Sequence, residues 1–312
     1  MKILVSGGAG FIGSHICDLL VGQGHEVAVV DDLSTGKEIN LDPKVKLYKL
    51  DIGDQKLAQV FEKEKFDLVC HQAAVTDVRK SVADPISNAQ GNILAMLNLL
   101  ENCRKFNVKK FVFASTGGAL YGDTDQLPTK EDHPTKPISP YGINKLCGEM
   151  YLRFYNKIYG LPVTILRYSN VYGPRQDRKG EGGVVAVFIR KAMLPDQGEV
   201  VINGDGQQTR DFMFVKDVAR ANVQALLDKG EGFNIYNLGT GVETSVNDLF
   251  EAIIHELGAE VKKTHGPTLA GEIQRSCLDN GKIKLALGWV PKYSLEQGVQ
   301  ETIEYFKENY NL

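Results

Sequence analysis

The sequence has few of the features that mark several common protein classes. Its six histidines form no HExxH motif and no other short ligand cluster, so we expect no metal site. The net charge is -3 and Lys and Arg form no tract, which predicts no nucleic-acid partner. No apolar run approaches the length of a bilayer span, so we expect no membrane contact. The chain opens on an apolar strand at Ile3–Val5, which predicts that no signal peptide precedes the fold.

Cysteine is also scarce, and its pattern predicts that neither disulfides nor zinc stabilise the fold. The five cysteines are odd in number, are scattered along the chain and form no CxxC pair. This pattern predicts a reducing compartment, hence the cytoplasm, with no disulfide framework and no zinc site. The cysteines are Cys17, Cys70, Cys103, Cys147 and Cys277.

The hydrophobic pattern of the first half predicts an α/β fold. The chain of 312 residues is long enough for one large or two modest domains. Continuous apolar strands alternate with helices, as is typical of a sheet covered on both faces, so we predict a doubly wound parallel sheet. The predicted strands are Ile3–Ser6, Glu26–Val30, Lys46–Leu50, Leu68–His71, Phe111–Ser115 and Thr164–Tyr168. The predicted helices are Ile12–Leu20, Lys56–Lys63, Asn88–Lys105 and Pro140–Tyr159.

The second half is more mixed, and we expect it to form a smaller domain interleaved with the first. Ser245 is predicted to cap its helix with Asp248 at the capping-box position. We place the first domain at residues 1–171 and the second at residues 172–312, with the strand near residues 233–238 returning to the first. The predicted elements are helix Val184–Leu194, a Gly-rich hairpin Val200–Arg210, helix Val215–Asp228, strand Phe233–Leu238, a helix from Ser245 to Leu257 and helix Leu295–Asn309.

A glycine-rich turn between the first strand and the first helix predicts a dinucleotide site. Residues Gly8–Gly13 read GxGxxG, and Gly7 adds a second frame. Glycines there permit a tight turn and the close approach of a pyrophosphate to the helix N-terminus. Asp31 ends the second strand, where a carboxylate accepts hydrogen bonds from a ribose 2′-OH and repels a 2′-phosphate. The pattern therefore favours NAD over NADP, although Lys37 lies close by.

The ends of three further strands carry candidate ligand-binding residues. Ligands bind at the carboxyl ends of strands in such sheets. Asp51 and Ile52 could hold an adenine edge, or Asp51 could instead cap the next helix. The segment His71–Ala74 has small residues that let a cofactor lie close to the backbone. Thr116 ends the fifth strand, where its hydroxyl could share a proton with a catalytic group or satisfy a local turn.

A tyrosine and a lysine on one helix form the strongest catalytic candidate. Ser139 is a good N-cap, Pro140 suits the first helical position, and Gly160 ends the helix. Tyr141 and Lys145 are four residues apart and therefore share a helix face. A lysine ammonium close to a phenol is predicted to lower the tyrosine pKa, which would make the tyrosine a general base. Alternatively, the two could be surface side chains at helical spacing.

Together these motifs resemble the extended short-chain dehydrogenase/reductase family, and within it the bacterial UDP-glucose 4-epimerases. The resemblance covers essentially the whole chain. Its motifs are specific to the superfamily and much less specific to one sugar. The stretches that carry it are Gly7–Gly13, Asp31–Gly36, Ser115–Gly122, Ser139–Lys145, Leu166–Gln176, Gly204–Phe212, Tyr236–Gly241 and Leu287–Trp289.

The resemblance implies a NAD Rossmann domain, a nucleotide-sugar domain at residues 172–312, and inversion of C4 of a UDP-hexose. Tyr141 would take the proton of the sugar 4-OH as hydride passes from C4 to NAD. Lys145 would lower the tyrosine pKa and hold the nicotinamide ribose, and Thr116 would relay the proton. The 4-keto sugar would turn over in the pocket and regain hydride on its other face, so NAD would stay bound.

The resemblance also implies the residues that hold the two ligands. The cofactor-binding set is Gly7, Gly10, Phe11, Ile12, Asp31, Asp32, Ser34, Thr35, Gly36, Asp51, Ile52, Gln72, Ala73, Ala74, Thr76, Asn92, Ser115, Tyr141, Lys145 and Tyr168. The substrate-binding set is Thr116, Gly117, Gly118, Tyr141, Asn170, Val184, Val185, Asn203, Arg210, Glu272 and Ser276.

Three positions refine the expected reaction. Gly117 stands where the family's dehydratases and decarboxylases carry an acid, which argues against elimination. Leu269 stands where related chains often have a phosphate-binding arginine. An ungapped count from Gly271 and Glu272 places Ser276 beside the sugar C2 substituent, where a small residue leaves room for an N-acetyl group. A one-residue shift would place Arg275 there instead, and an arginine would favour a uronate carboxylate.

Other functions and the assembly state follow from the same motifs. The alternatives are a UDP-glucuronate 4-epimerase, a net dehydrogenase that releases NADH, and a regulatory protein that binds NAD without catalysis. The resemblance implies a homodimer with a four-helix contact. The apolar stripes that would form it could equally be core; they are Ile93, Leu94, Leu97 and Leu100, and Leu146, Met150 and Phe154.

Overall fold

The computed structural model describes residues 1–177, 183–194, 199–268 and 273–310. The strands are β1 (Lys2–Ser6), β2 (Glu26–Asp31), β3 (Lys46–Lys49), β4 (Leu68–His71), β5 (Lys110–Thr116), β6 (Val163–Tyr168), β7 (Asn170–Tyr172), β8 (Val200–Asn203), β9 (Thr209–Arg210), β10 (Phe212–Phe214), β11 (Phe233–Leu238), β12 (Thr244–Ser245) and β13 (Lys263–Gly266). The α-helices are α1 (Phe11–Gly22), α2 (Leu57–Glu64), α3 (Val78–Ala83), α4 (Pro85–Ala89), α5 (Ala95–Lys105), α6 (Gly118–Tyr121), α7 (Pro140–Tyr159), α8 (Val184–Met193), α9 (Val215–Leu227), α10 (Val246–Leu257), α11 (Gly281–Leu287) and α12 (Leu295–Tyr310).

A seven-stranded parallel sheet confirms the predicted doubly wound α/β fold. Its strand order is β11-β6-β5-β4-β1-β2-β3, and every neighbouring pair runs parallel. Ile3 and Val5 pack into the core on one face of β1, whereas Leu4 packs into the core on the other. Both faces are therefore covered, which explains the continuous apolar runs. The order in which successive strands are added to the sheet reverses between β1 and β4, and such sheets bind ligands at this switch point.

Helix α7 begins and ends at the predicted residues because its end signals are local. The Ser139 hydroxyl accepts a hydrogen bond from the Gly142 N–H at 3.2 Å. Gly160 ends the helix in the left-handed conformation with φ +70°, which a side chain would disfavour. These signals place Tyr141 in the first turn, over the carboxyl edge of the sheet.

The predicted helix Asn88–Lys105 is interrupted and begins earlier. Helix α4 begins at Pro85, where the Asp84 carboxylate accepts a hydrogen bond from the Ser87 N–H at 3.0 Å. A π-helical turn at Gln90–Leu94 then joins α4 to α5. Turns of this kind insert one extra residue and occur mostly at functional sites.

The predicted hairpin Val200–Arg210 is wrong, because its two strands pair with distant partners. Strand β8 pairs in parallel with β13, and β9 pairs antiparallel with β12. The glycine turn between them is real, since Gly204 and Gly206 have φ values of +67° and +73°. Glycine turns predict a reversal of the chain, but the strands' partners depend on the tertiary fold.

The rest of the chain builds a third apolar core beside the sheet. Helices α8, α10 and α12 contribute Phe188, Phe250 and Phe306 to this core. Strand β7 contributes Tyr172. Strand β11 returns to the sheet next to β6. The division at residues 171 and 172 stays a prediction. Within the described ranges, we find no helix that combines the length and the apolar character needed to cross a membrane.

Candidate active site

A cavity of about 410 Å³ opens at the carboxyl ends of β1, β2, β4 and β5. Most of the predicted cofactor-binding residues line it, and the exceptions are Gly36 and Asn92. The predicted residues that line it are Gly7, Gly10, Phe11, Ile12, Asp31, Asp32, Ser34, Thr35, Asp51, Ile52, Gln72, Ala73, Ala74, Thr76, Ser115, Tyr141, Lys145 and Tyr168. Residues outside the predicted binding sets also line it, including Asn40, Gly91, Arg175, Gln176 and Asp177.

The glycine turn forms a close backbone cradle at one end of this cavity. Gly7 has φ +67°, and a Cβ there would lie 2.5 Å from the Ala73 backbone nitrogen. A Cβ at Gly13 would lie 2.2 Å from the Gly7 carbonyl oxygen. Gly10 begins α1 without a side-chain cap, and the first turn of α1 carries no acidic residue. The free N–H groups of α1 can therefore bind a pyrophosphate.

Asp31 is held rigidly at the end of β2. One carboxylate oxygen accepts from the Ala9 N–H and the other from the Leu33 N–H, each at 2.9 Å. Burial raises the pKa of Asp31, and these two hydrogen bonds oppose the rise. Each oxygen keeps a second lone pair for a ribose hydroxyl. Gly36 supports this arrangement from outside the cavity, because a Cβ there would lie 2.8 Å from the Asp31 carboxylate.

The structure contradicts one of the two roles predicted for Asp51, the capping of the next helix, and the contact with an adenine edge stays a prediction. Its carboxylate accepts from the Gly53 N–H at 2.6 Å, in a tight turn that precedes α2. The Lys56 N–H at the start of α2 is instead bound by Asp54, at 2.8 Å. Asp51 therefore does not cap the helix, and it lines the cavity beside Ile52.

Asn92 supports the cavity wall from behind. It accepts from the Val75 N–H at 2.9 Å and donates to the Val75 carbonyl at 3.0 Å, which holds the wall segment. Asn88, missed from the sequence, donates to the same carbonyl at 3.1 Å. Asn222, also missed, accepts from the Tyr168 hydroxyl at 2.9 Å. An asparagine that interrupts the apolar run of α9 was the sequence signal that could have revealed Asn222.

Tyr141 and Lys145 both line the cavity, but their electrostatics differ from the prediction. Lys145 is buried, and its ammonium donates to the Ala114 carbonyl at 2.8 Å and lies 5.9 Å from the Tyr141 ring centroid. Burial raises the pKa of Tyr141 to about 12 and lowers the pKa of Lys145 to about 8, while Glu149 opposes the second shift. The predicted lowering of the Tyr141 pKa is therefore wrong for this geometry, because burial dominates.

Thr116 ends β5 opposite Tyr168 and is half-buried. Its hydroxyl oxygen accepts a long hydrogen bond from the Ala119 N–H at 3.4 Å, which is the local turn contact that was one of its two predicted roles. Its part in proton relay stays a prediction.

Several predicted substrate-binding residues meet next to β5. A Cβ at Gly118 would lie 3.6 Å from the Ser276 hydroxyl, and one at Gly117 would lie 2.5 Å from Leu278 Cδ1. The Ser276 N–H donates to the Thr209 carbonyl at 3.2 Å, and Arg210 follows directly along the chain.

The other predicted substrate contacts are more dispersed. Asn170 is exposed, and its backbone N–H donates to the Asp211 carbonyl at 2.9 Å. Asn203 is also exposed, at the end of β8. Val184 is half-buried, whereas the Val185 side chain is buried in the third core and can offer a ligand only its backbone. Glu272, Leu269 and Gly271 lie outside the described residues.

Arg275, the alternative to Ser276, is already paired. Its guanidinium donates to the Glu243 carboxylate at 3.0 Å, and Glu243 also accepts from the Thr209 hydroxyl at 2.6 Å. The arginine at this position is therefore engaged by a protein carboxylate.

The sheet, the glycine cradle and the Tyr141–Lys145 pair together define a dinucleotide-binding enzyme of the α/β class. Residues 3–239 match the model of the NAD dependent epimerase/dehydratase family, and the chain belongs to that family. The resemblance drawn from the motifs is thereby confirmed, as is NAD as the family's cofactor. The cradle and the Asp31 carboxylate fit this cofactor.

Relatives match over nearly their full length. A UDP-glucose 4-epimerase of Mycolicibacterium smegmatis is 41% identical, and the match covers 98% of this chain and 99% of that protein. The crystal structure of a UDP-glucose 4-epimerase of Thermotoga maritima with UDP-glucose gives a TM-score of 0.95 at 46% identity, covering 99% of each chain. The UDP-glucose 4-epimerase of Thermus thermophilus in complex with NAD gives 0.93 at 40% identity, covering 99% of this chain and 100% of that chain.

Proposed function

We propose that this protein is a NAD-dependent epimerase that inverts C4 of UDP-hexoses, with UDP-glucose and UDP-galactose as substrates and their N-acetyl forms within its range. The observation that carries the proposal is the position of Tyr141 and Lys145 on the wall of a cavity that ends in a pyrophosphate cradle. The two solved relatives named above support both ligands, since one holds UDP-glucose and the other NAD.

In this proposal Tyr141 takes and returns the proton of the sugar 4-OH, and Lys145 provides a positive charge beside the Tyr141 phenol. NAD, when bound, supplies the hydride acceptor and a positively charged ring. A positive charge near a buried phenol favours its phenolate, which offsets the burial that raises the Tyr141 pKa. Lys145 stays charged at neutral pH, since its pKa is about 8. Thr116, at the end of β5, relays the proton.

Two contacts favour hexose epimerisation over related reactions. Leu278 fills the space beside Gly117, so no carboxylate stands there to drive elimination. Arg275 is paired with Glu243, so it is engaged before any uronate carboxylate could reach it. Together the two contacts support epimerisation of a sugar without a carboxylate at C6, and without elimination of water across C5 and C6.

The test is to incubate the purified protein with UDP-galactose, UDP-N-acetylgalactosamine or UDP-galacturonate, without added cofactor. We expect UDP-glucose from the first, and NAD in the supernatant after denaturation, because epimerisation regenerates the cofactor in each cycle. A need for stoichiometric added NAD, or turnover of the uronate alone, would contradict the proposal.

We also propose that the protein is a homodimer with a contact through α5 and α7. Leu94, the last residue of the π turn that leads into α5, exposes 60% of its surface. On α7, Met150, Phe154 and Ile143 expose 59%, 46% and 53%. Apolar residues this exposed on adjacent segments are typical of an interface. Leu100, predicted to belong to the same stripe, is instead fully buried core.

Light scattering should give twice the chain mass of 34.4 kDa. Met150→Glu should shift the protein toward monomer, whereas Glu62→Gln on the exposed face of α2 should leave the mass unchanged. A monomer mass for the wild type at micromolar concentration would contradict the proposal of a homodimer. The cytoplasmic location stays a prediction from the cysteine pattern.

A further inference from the structure

Glu149 forms a buried ionic cluster directly behind the candidate active site. Glu149 is 3% exposed. One carboxylate oxygen accepts from the Ser115 hydroxyl at 2.6 Å and from Arg167 Nε at 2.9 Å. The other accepts from the second guanidinium nitrogen of Arg167 at 2.6 Å. The carboxylate is therefore fixed by three hydrogen bonds, two of them in a bidentate ion pair.

This cluster fastens α7 to the end of β5 one helical turn after Lys145. Lys145 binds the Ala114 carbonyl, and Glu149 binds the side chain of the next residue, Ser115. Arg167 stands opposite Ser115 in the register of β5 and β6. Two successive turns of α7 are thus joined to two successive residues of β5, at the point where β5 meets the cavity.

The far side of the Arg167 guanidinium is satisfied by other groups. It donates to the Tyr121 hydroxyl at 2.8 Å, and that hydroxyl donates to Asn237 at 2.7 Å. Asn237 in turn donates to the Thr129 carbonyl at 2.9 Å. Arg167 is thus held between the Glu149 carboxylate and the Tyr121 hydroxyl.

Glu149 supplies the negative charge among the groups that the described part of the chain places around Lys145. His71 is neutral, because burial lowers its pKa to about 3. Strand β5 contributes the Ala114 carbonyl and the Phe113 ring, which lies 4.8 Å from the ammonium. The titratable groups that contact the ammonium or interact with it electrostatically are Tyr141 and Glu149 from α7 and His71 from β4. On β6, Arg167 is paired with Glu149, and Tyr168 lines the same cavity.

We propose that Glu149 is a positioning residue for the Tyr141–Lys145 pair. Its carboxylate, held by Arg167 and Ser115, keeps the Lys145 ammonium charged and holds it against the end of β5. This inference rests on the proposed function for its catalytic consequence, and on the contacts alone for its effect on Lys145. An opposite charge close to an ammonium favours the charged form, so loss of the carboxylate should make Lys145 more acidic.

The test compares Glu149→Gln with Glu149→Asp in the purified protein with its bound NAD. In Glu149→Gln, the limb on which kcat/KM falls at high pH should move to lower pH by about one unit. Glu149→Asp keeps the charge, so it should restore most of the wild-type profile. An unmoved limb in Glu149→Gln would overturn the proposal.

Glu64→Gln is the matched control for lost stability. Glu64, like Glu149, is a buried glutamate held by a basic side chain and a hydroxyl, but it lies at the far edge of the sheet against Lys2, Lys46 and Tyr48. This variant should lose stability without any shift of the pH limb. An equal shift in Glu64→Gln would reduce the effect of Glu149 to general destabilisation and so overturn the proposal.

A second measurement does not depend on epimerase activity. Titration of the Lys145 side chain by lysine ¹³C NMR, assigned with Lys145→Arg, should give a lower pKa in Glu149→Gln than in the wild type. If Glu149→Gln does not fold, the double variant Glu149→Leu with Arg167→Leu can replace it. The double variant removes the Glu149 carboxylate together with its Arg167 partner, so no unpaired charge stays buried.

The two readouts separate the two proposals. A wild type that epimerises no UDP-sugar, combined with a shifted Lys145 titration, would remove the proposed function and keep the inference about Glu149. An active wild type, combined with an unchanged Lys145 titration in Glu149→Gln, would keep the proposed function and overturn the inference about Glu149.

Discussion

Leu278 occupies the space that a side chain at position 117 would need, because a Cβ on Gly117 would lie 2.5 Å from Leu278 Cδ1 and 2.6 Å from Cδ2. Leu278 is 1% exposed, and its N–H donates to the Asp211 carboxylate at 3.2 Å. Asp211 also accepts from the Thr240 N–H at 2.8 Å, so the Leu278 backbone is bound to a carboxylate that is itself fixed. Because Gly117 has no side chain, Leu278 can pack against it, and this contact places the segment that carries Ser276.

This relationship predicts that Gly117→Ala is destabilising. Overpacking of this kind costs about 1–3 kcal/mol, which a thermal unfolding experiment would detect. Adding Leu278→Ala should recover part of the loss, so the two changes should be non-additive. Gly118→Ala is the control, since its Cβ would meet only an ordinary contact at 3.6 Å. Equal losses in Gly117→Ala and Gly118→Ala would show that Leu278 is not the obstacle.

Tyr141→Phe should fold, retain NAD and lose at least about two orders of magnitude in kcat, the low end for a positioned general base. Thr116→Val should lose less, because Tyr141 could still take the proton directly. Tyr155→Phe is a control on the same helix, since its hydroxyl binds Glu101 at 2.6 Å, outside the cavity lining. Near-normal activity in Tyr141→Phe would remove the central catalytic assignment.

Ser276→Tyr should abolish turnover of UDP-N-acetylgalactosamine and spare UDP-galactose. Ser276 is 9% exposed beside Gly118, so a tyrosine there would fill the space that a C2 substituent needs. Ser276→Ala, which adds no bulk, should keep both activities. Arg275→Ala tests the neighbouring position and should leave the sugar preference unchanged. A wild type that ignores the acetylated sugar would place the gate elsewhere.

Glu64 predicts a loss of stability in acid. Burial raises its pKa, but hydrogen bonds from Lys46, Tyr48 and Lys2 outweigh that effect and bring the pKa from 4.5 to about 2. A group whose pKa is lowered on folding contributes stability above its unfolded pKa and loses it as the pH falls. The contribution should therefore disappear between about pH 4.5 and pH 2. Glu64→Gln should narrow the difference in Tm between pH 6 and pH 3, and an unchanged difference would refute this role.

Local signals account for the parts of the fold that were predicted correctly. Helix α7 has its cap, its proline and its terminal glycine in the sequence itself, and β4 and β11 are short apolar runs bounded by turns. The failures involve partners that are distant along the chain. The π turn at Gln90–Leu94 accompanies hydrogen bonds to Val75, and β8 pairs with β13 some sixty residues later.

The same division holds for the site. Residue types and spacing were enough to place a dinucleotide cradle after β1, a carboxylate at the end of β2 and a tyrosine one turn before a lysine. Those features follow from chain geometry over a few residues. The charge state of Tyr141 and Lys145, the fit of Leu278 against Gly117 and the support from Glu149 depend on burial and on contacts between remote segments. Burial sets the cost of a charge, and sequence spacing carries no measure of burial, so only the folded chain could establish these features.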